Sequence, residues 1–346
     1  MTFSIVNIFR VAFIRIGVPI EPNSAVLPTY DSWPRFAQRA YLILVHSYAQ
    51  HATEFIVALA MYFLLWPLTM PHAASFQTGW ILKVVAFNIM LEMLTYGFWH
   101  AMMYAGQAST EDGPLRQYKY NPRNQYEPTG PVGHISSSTG HLQREVSLTT
   151  LGWLQASVWE ILVMHAYATG YLTASPCLWR HVALWIVVGS WWRDAHFYFI
   201  HRLIHPWTAR GAVGKPPPWD LGAFLYRHVH ALHHASYNPG PWSGLAMHPV
   251  EHFIYFSCVL LPLPFHAHPL AFLYILAHAL VSPVGGHDGY AKPGGGGGAH
   301  YLHHAHMEIN YGVSTATPMD FDTLFGSNLS WDVSICCRTV AMSYVC

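Results

Sequence analysis

Three histidine clusters crowd the second half of the chain: His201-Arg-Leu-Ile-His205, His230-Ala-Leu-His233-His234 and His300-Tyr-Leu-His303-His304. Two share the spacing H-x-x-H-H and the other is H-x-x-x-H. Residues three and four apart lie on one face of a helix, so each cluster can aim two or three imidazoles at one point. Together they offer eight nitrogen ligands, more than one ion needs and about right for two. Seventeen of the 25 histidines fall between His196 and His306, which sets these clusters apart from the isolated histidine that usually serves structure. Imidazole suits Zn, Cu, Fe and Ni alike. A catalytic zinc takes about three protein ligands and keeps one position open. The larger set matches a dinuclear site, and nitrogen donors without a bridging thiolate suit an oxygen-activating iron pair. The carboxylate-rich alternative, Glu-x-x-His on bundle helices, is not evident.

The composition says where such a site sits. Only 10% of the 346 residues are charged, against about 25% in soluble domains. Aromatics reach 15% and mean hydropathy is +0.22, the profile of a polytopic membrane protein. Net charge is zero and no basic stripe offers itself to nucleic acid. The cysteines, Cys177, Cys258, Cys336, Cys337 and Cys346, form no C-x-x-C pair. That argues against a thiolate zinc site or a disulfide scaffold and for a reducing compartment on the metal side. The apolar N-terminus carries Arg10 and Arg15 with no acid before Glu21. It reads as an amphipathic surface helix or a transit-like segment, without the cleavage site of a secretory signal.

The elements that must carry the clusters are apolar stretches. A span needs about 20 residues to cross about 30 Å of hydrocarbon. Tyr41–Leu68, Trp80–Tyr104, Leu151–Leu172 and Trp179–Ile200 qualify, the last running into the first cluster. His46, His51, Glu54, Glu92, His100, Glu160 and His165 interrupt these stretches. The favoured reading for each is a helix-to-helix hydrogen bond, the other a polar channel. Between spans, Gln107–Glu145 is a polar loop. Phe253–Val284 is cut by Pro262, Pro264, Pro269 and Pro283, which predicts two short helices or a re-entrant hairpin. A hairpin would return the chain to the side it left and let the third cluster join the first two. The five glycines Gly294–Gly298 read as a flexible insertion. The fold expected is all-α: a bundle of about four spanning helices, a short re-entrant hairpin and a histidine-rich cap. Four regions follow, an N-terminal segment 1–37, a transmembrane region 38–178, a catalytic region 179–327 and a tail 328–346.

Several boxes between Asp194 and Gly326 carry a family resemblance. Asp194-Ala-His-Phe-Tyr-Phe-Ile-His201-Arg-Leu-Ile-His205 resembles the D-x-x-F-Y-x-x-H-R-x-x-H signature of the fatty acid hydroxylase/sterol desaturase superfamily. Leu225 to His234, Asn238 to Glu251, Gly286 to Tyr290, His300 to Gly312 and Phe321-Asp-Thr-Leu-Phe-Gly326 resemble its later boxes, in order. The stretch around Pro241, Trp242 and His248 leans toward the sterol C-5 desaturase-like branch.

The resemblance implies a membrane-embedded non-haem di-iron enzyme, an oxidoreductase that uses O₂ and two electrons. It would hydroxylate or desaturate an unactivated C–H position of a sterol or fatty-acyl lipid. It implies His201, His205, His230, His233, His234, His300, His303 and His304 as iron ligands and catalytic centre, and His287 as a ninth. His248 matches a further family position. Asp194 and Glu251 would orient ligand rings by accepting the second N–H. His196, His228, His252 and His306 fall between box positions and read as neighbours, and Arg202 as a phosphate-interface or structural residue. No haem-binding His-Pro-Gly-Gly is present, so electrons would come from a separate cytochrome b5 or ferredoxin-type donor. The endoplasmic reticulum membrane is the expected location, a plastid membrane the alternative. A membrane zinc hydrolase and an inactive lipid-binding relative are the competing classes.

Overall fold

The computed structural model describes residues 34, 51–104, 119–120, 138–208, 217–236, 238–290, 298–312 and 320–328. Among them every regular element is helical, and the only β pairing is a single bridge between Lys119 and Tyr290. Segment 1–37 apart from Pro34, most of the polar loop, His46, glycines 294–297 and the tail beyond Asn328 lie outside the described residues.

Nine helices can be followed among the described residues. Helix α1 is Ala52–His72, α2 is Thr78–Tyr104, α3 is Ser138–Ala168 and α4 is Trp179–Leu203. Helix α5 covers 221–234. Helix α6 is Pro249–Phe256, prolonged by 3₁₀ turns. Helices α7, Pro269–Gly286, α8, Gly298–Ala305, and α9, Phe321–Leu324, follow. Four are long and apolar enough to cross a membrane, α1, α2, α3 and α7, so the chain is a multi-pass membrane protein.

This set of four differs from the expected one in a single exchange. Helix α4 is long, but Arg193, Asp194, His196, His201 and Arg202 dilute its apolar character. Helix α7 takes its place, because two of the four prolines do not break it. Pro269 sits at the helix start, where a missing N–H costs nothing. Pro283 sits near the end and leaves the carbonyl of Ala279 without its helical donor. The hydroxyl of Tyr255, on α6, donates to that carbonyl at 2.8 Å. Tyr96 on α2 donates to the next one, Leu280 O, at 2.7 Å. The break is thus repaired from neighbouring helices. Before α7, His266 adopts φ +49° and turns the chain back, so α6 and α7 do form a hairpin whose return arm is a full-length helix.

Helix α7 is the axis of the bundle, with 72% of its most apolar stretch buried. It packs on α1, on α4 and on the 3₁₀ turn Pro241–Leu245. Outward, Ile56, Phe63, Leu64, Leu82, Leu94, Val158 and Leu162 are exposed. Such an apolar surface matches lipid rather than water.

Polar residues inside the spans tie helices together. Trp66 Nε1 and Asn88 Nδ2 each donate to Glu160 at 2.9 Å, joining α1, α2 and α3. Thr150 donates to Glu92 at 2.8 Å, and His165 Nδ1 to Ala73 O at 2.8 Å. Directions then sort the ends of the bundle. Helix α2 ends beside Asp288, to which Trp99 and Tyr104 bond. Helix α3 begins beside Ser236, which donates to Glu145 at 2.7 Å. Helices α4 and α7 also finish there, at His201 and His287. All histidine clusters therefore meet at one end of the bundle.

Candidate metal centre

The nine histidines assemble into two groups. His201, His205, His230, His234 and His303 form one; His233, His287, His300 and His304 form the other. The grouping cuts across the sequence clusters. Both members of the first cluster go to the five-histidine group. The second cluster sends His230 and His234 there and His233 to the other. The third sends His303 to the first group and His300 and His304 to the second. Helix geometry explains the division: positions i and i+4 project nearly together, and i+3 projects to the side. A π turn, Tyr226–His230, inserts an extra residue immediately before the second cluster. His205 lies just beyond the end of α4, its approach set by the cap rather than by the helix. All nine residues are at most 8% exposed.

Within each group the rings converge through Nε2. In the first, His201–His230 is 3.0 Å, His230–His234 3.1 Å, His234–His303 3.2 Å and His205–His234 3.3 Å. In the second, His287 lies 2.9 Å from His300, 3.1 Å from His304 and 3.3 Å from His233. Ligands bound at about 2.1 Å, as imidazole is, stand roughly 3.0 to 3.4 Å apart around one ion.

Proton bookkeeping shows why a cation fits. His201 Nδ1 donates to Tyr311 O at 2.7 Å, His303 Nδ1 to Ile309 O at 2.7 Å and His287 Nδ1 to Pro283 O at 2.8 Å. A carbonyl only accepts, so each neutral ring presents a bare lone pair at Nε2. His230 Nδ1 meets the Glu251 carboxyl at 2.7 Å, and with that carboxyl ionised the result is the same. The Nε2 lone pairs of His201 and His230 thus face each other. Protonation is an unfavourable way out: burial, reinforced by neighbouring imidazoles, holds the eight cluster histidines below the ordinary histidine range, and burial does the same to His287. His201 and His287 are pushed down to about 4. Each group could hold a metal ion, which would resolve the repulsion.

Glu251 thus stands where it can orient a ligand ring. Asp194 is buried on α4, two turns before His201. His248 lies outside both groups; its ring caps α6 by accepting from Val250 N. His196 bonds Ser257 and His252 bonds Leu245 O, away from the centre. Arg202 donates to Pro206 O at 3.0 Å and lies over the Tyr311 ring. Two residues with no role assigned from sequence organise the site. Asp322 accepts from Tyr311 N at 2.8 Å and Gly312 N at 2.7 Å. It thereby fixes the strip whose carbonyls hold His201 and His303. Gly312 permits this approach, since a Cβ there would lie 2.7 Å from Asp322 Oδ2. Asp288, next to His287, takes the bond from Trp99 and anchors the site to α2. The signal for Asp322 was present in the Phe321–Gly326 box, but not its target.

A cavity adjoins both groups. His201 and His230 of the first group and His233, His287 and His300 of the second line it, with Phe197, Met247 and Pro283 among its apolar walls.

A family model described as fatty acid hydroxylase matches residues 186–327, the stretch that supplies all nine histidines. Residues 186–327 are thus similar to a fatty acid hydroxylase domain, and the chain is similar to sterol C-5 desaturases. Lathosterol oxidase of Rattus norvegicus is 27% identical over 201 residues, 52% of this chain and 59% of that protein. Delta(7)-sterol 5(6)-desaturase ERG3B of Gibberella zeae is 28% identical over 145 residues, 39% of each chain. The similarity thus spans less than two thirds of the relatives' length. No solved structure matches.

Proposed function

We propose that this protein is a membrane-bound non-haem di-iron oxygenase acting on a lipid, most simply a sterol or a fatty-acyl chain. The observation that carries this reading is the division of nine buried imidazoles into groups of five and four beside one apolar cavity. Five and four nitrogen donors exceed the three of a zinc hydrolase. Two irons held there would supply the oxidising power to hydroxylate or desaturate an unactivated C–H bond, with two electrons from a separate cytochrome b5 or ferredoxin-type donor. The protein's own part is positional. Glu251, Tyr311 O, Ile309 O and Pro283 O keep protons on Nδ1 and turn Nε2 inward. Phe197, Met247 and Pro283 keep water away from the reacting carbon. The sterol relatives favour a sterol, and the endoplasmic reticulum membrane is the proposed location.

The test is turnover in a bilayer. Iron-loaded protein in nanodiscs, with a reductase and cytochrome b5, would be offered sterols and fatty-acyl lipids under ¹⁸O₂. A product heavier by one ¹⁸O, or lighter by two hydrogens, that needs O₂ and reductant is the expected result. Release of a hydrolysed product without O₂ would replace this reading by the zinc hydrolase.

A further inference from the structure

Arg193 is a guanidinium buried in the wall of the cavity that both histidine groups share. It lies on α4 eight residues before His201, about 12 Å along the helix axis, and only 3% of it is exposed. One of its donors is used: Nη2 bonds the Tyr255 hydroxyl at 2.7 Å. That hydroxyl is itself fixed, because its proton goes to Ala279 O. The guanidinium lies 4.5 Å from the Tyr255 ring centre and 5.7 Å from that of Phe197, so aromatic faces hold its plane. Nε and Nη1 are buried with no oxygen or nitrogen acceptor; the Cys258 thiol bonds the guanidinium only as a weak acceptor.

An arginine is a costly lining for a lipid cavity. Its rigid fork of donors matches oxygen acceptors better than any other side chain, and buried donors are seldom left without one. Besides the five histidines of the two groups, the wall it shares holds Phe197, Met247 and Pro283, with Ser282, Tyr255, which gives its proton to Ala279 O, and Glu251, whose Oε1 meets His230. We infer that Arg193 binds the polar oxygen of the lipid, holding one end of the molecule while the imidazole groups face the carbon to be oxidised. The ligand chemistry is an acceptor oxygen on an otherwise apolar body, a sterol hydroxyl or a fatty-acid carboxylate. Arg193 is a substrate-binding residue on this account, and the inference rests on the lipid-oxygenase reading.

The experiment is equilibrium binding to the full-length, iron-loaded protein in nanodiscs, using two pairs of probes. Cholestanol and cholestane differ by a hydroxyl; palmitate and hexadecane differ by a carboxylate. Wild type is expected to prefer the oxygen-bearing member of one pair at least tenfold, and the preferred pair names the source of the oxygen. Arg193→Met should bind both members of that pair alike and keep its two irons. Arg193→Lys, which fills the site but lacks the fork, should fall between and serves if the methionine variant does not fold. Equal binding within both pairs by wild type, or an unchanged preference in Arg193→Met and Arg193→Lys, overturns the inference. An Arg193-dependent preference in a protein that oxidises neither lipid would keep this inference and remove the oxygenase reading. Turnover with an unchanged KM in Arg193→Met would do the reverse.

Discussion

Glu251 and Asp322 belong to neither histidine group, yet the direction of the imidazoles depends on them. Removing the acceptor of His230 Nδ1 allows that ring to change tautomer and turn. Glu251→Ala should therefore weaken iron binding by roughly 10- to 100-fold, the usual effect of deleting such a partner. Glu251→Gln retains an acceptor oxygen and should stay close to wild type. Anaerobic titration with ferrous iron distinguishes the two; equal affinities in all three proteins would contradict the orienting role. Asp322→Ala unties Tyr311 and Gly312 from the closing helix. It should cost a comparable factor in iron affinity, although Asp322 touches none of the nine rings. The nine histidines themselves were legible from their spacing and box order. Their partition into five and four was not, since it depends on how three helices are rotated against one another. Asp322 was hidden for a related reason: its partners are backbone amides ten residues away, which leave no side-chain pattern.

Elements reach the centre through close approaches that can be broken individually. Gly222 opens α5 where a Cβ would stand 2.0 Å from the carbonyl of His205 and 2.5 Å from the Trp207 ring. Gly222→Ala must push α5, with His230, His233 and His234, away from the end of α4. A destabilisation of about 1–3 kcal/mol is expected from such overpacking, together with loss of iron, read by thermal melting and by metal analysis of the same sample. Melting and iron content equal to wild type would show that α5 tolerates the shift. Far from the metal, Glu160 accepts from both Trp66 and Asn88. Glu160→Ala strands two buried donors and should cost about 2–5 kcal/mol, with iron content per folded chain unchanged. The spans were readable from hydropathy, with one exchange. Proline positions suggested that the last apolar region is broken, because sequence cannot show that Tyr255 supplies the donor Pro283 lacks. Conversely, α4 looked like a span because its apolar face dominates, while its charged residues serve the cavity and the cap.

At the scale of the whole molecule, the fold places a polar, nine-histidine chamber at one end of an apolar bundle whose outer face suits lipid. Four helices end or begin at that chamber, so its geometry is set by the bundle and not by any one loop. The glycine run reads as a flexible insertion, yet its last member, Gly298, opens α8, and His300 Nε2 lies 2.9 Å from His287 Nε2. Metal and bundle should accordingly support each other: stripping metal with a chelator is expected to lower the melting temperature in detergent by several degrees, and restoring iron should reverse the loss. The most direct test of the central claim is metal content per chain, by elemental analysis of the purified full-length protein, in wild type and two variants. His303→Ala removes a ligand from the five-histidine group, and His300→Ala one from the four-histidine group. Two separate centres predict about two irons in wild type and about one in each variant. A single metal ion in wild type, or an undiminished count in both variants, would contradict the account.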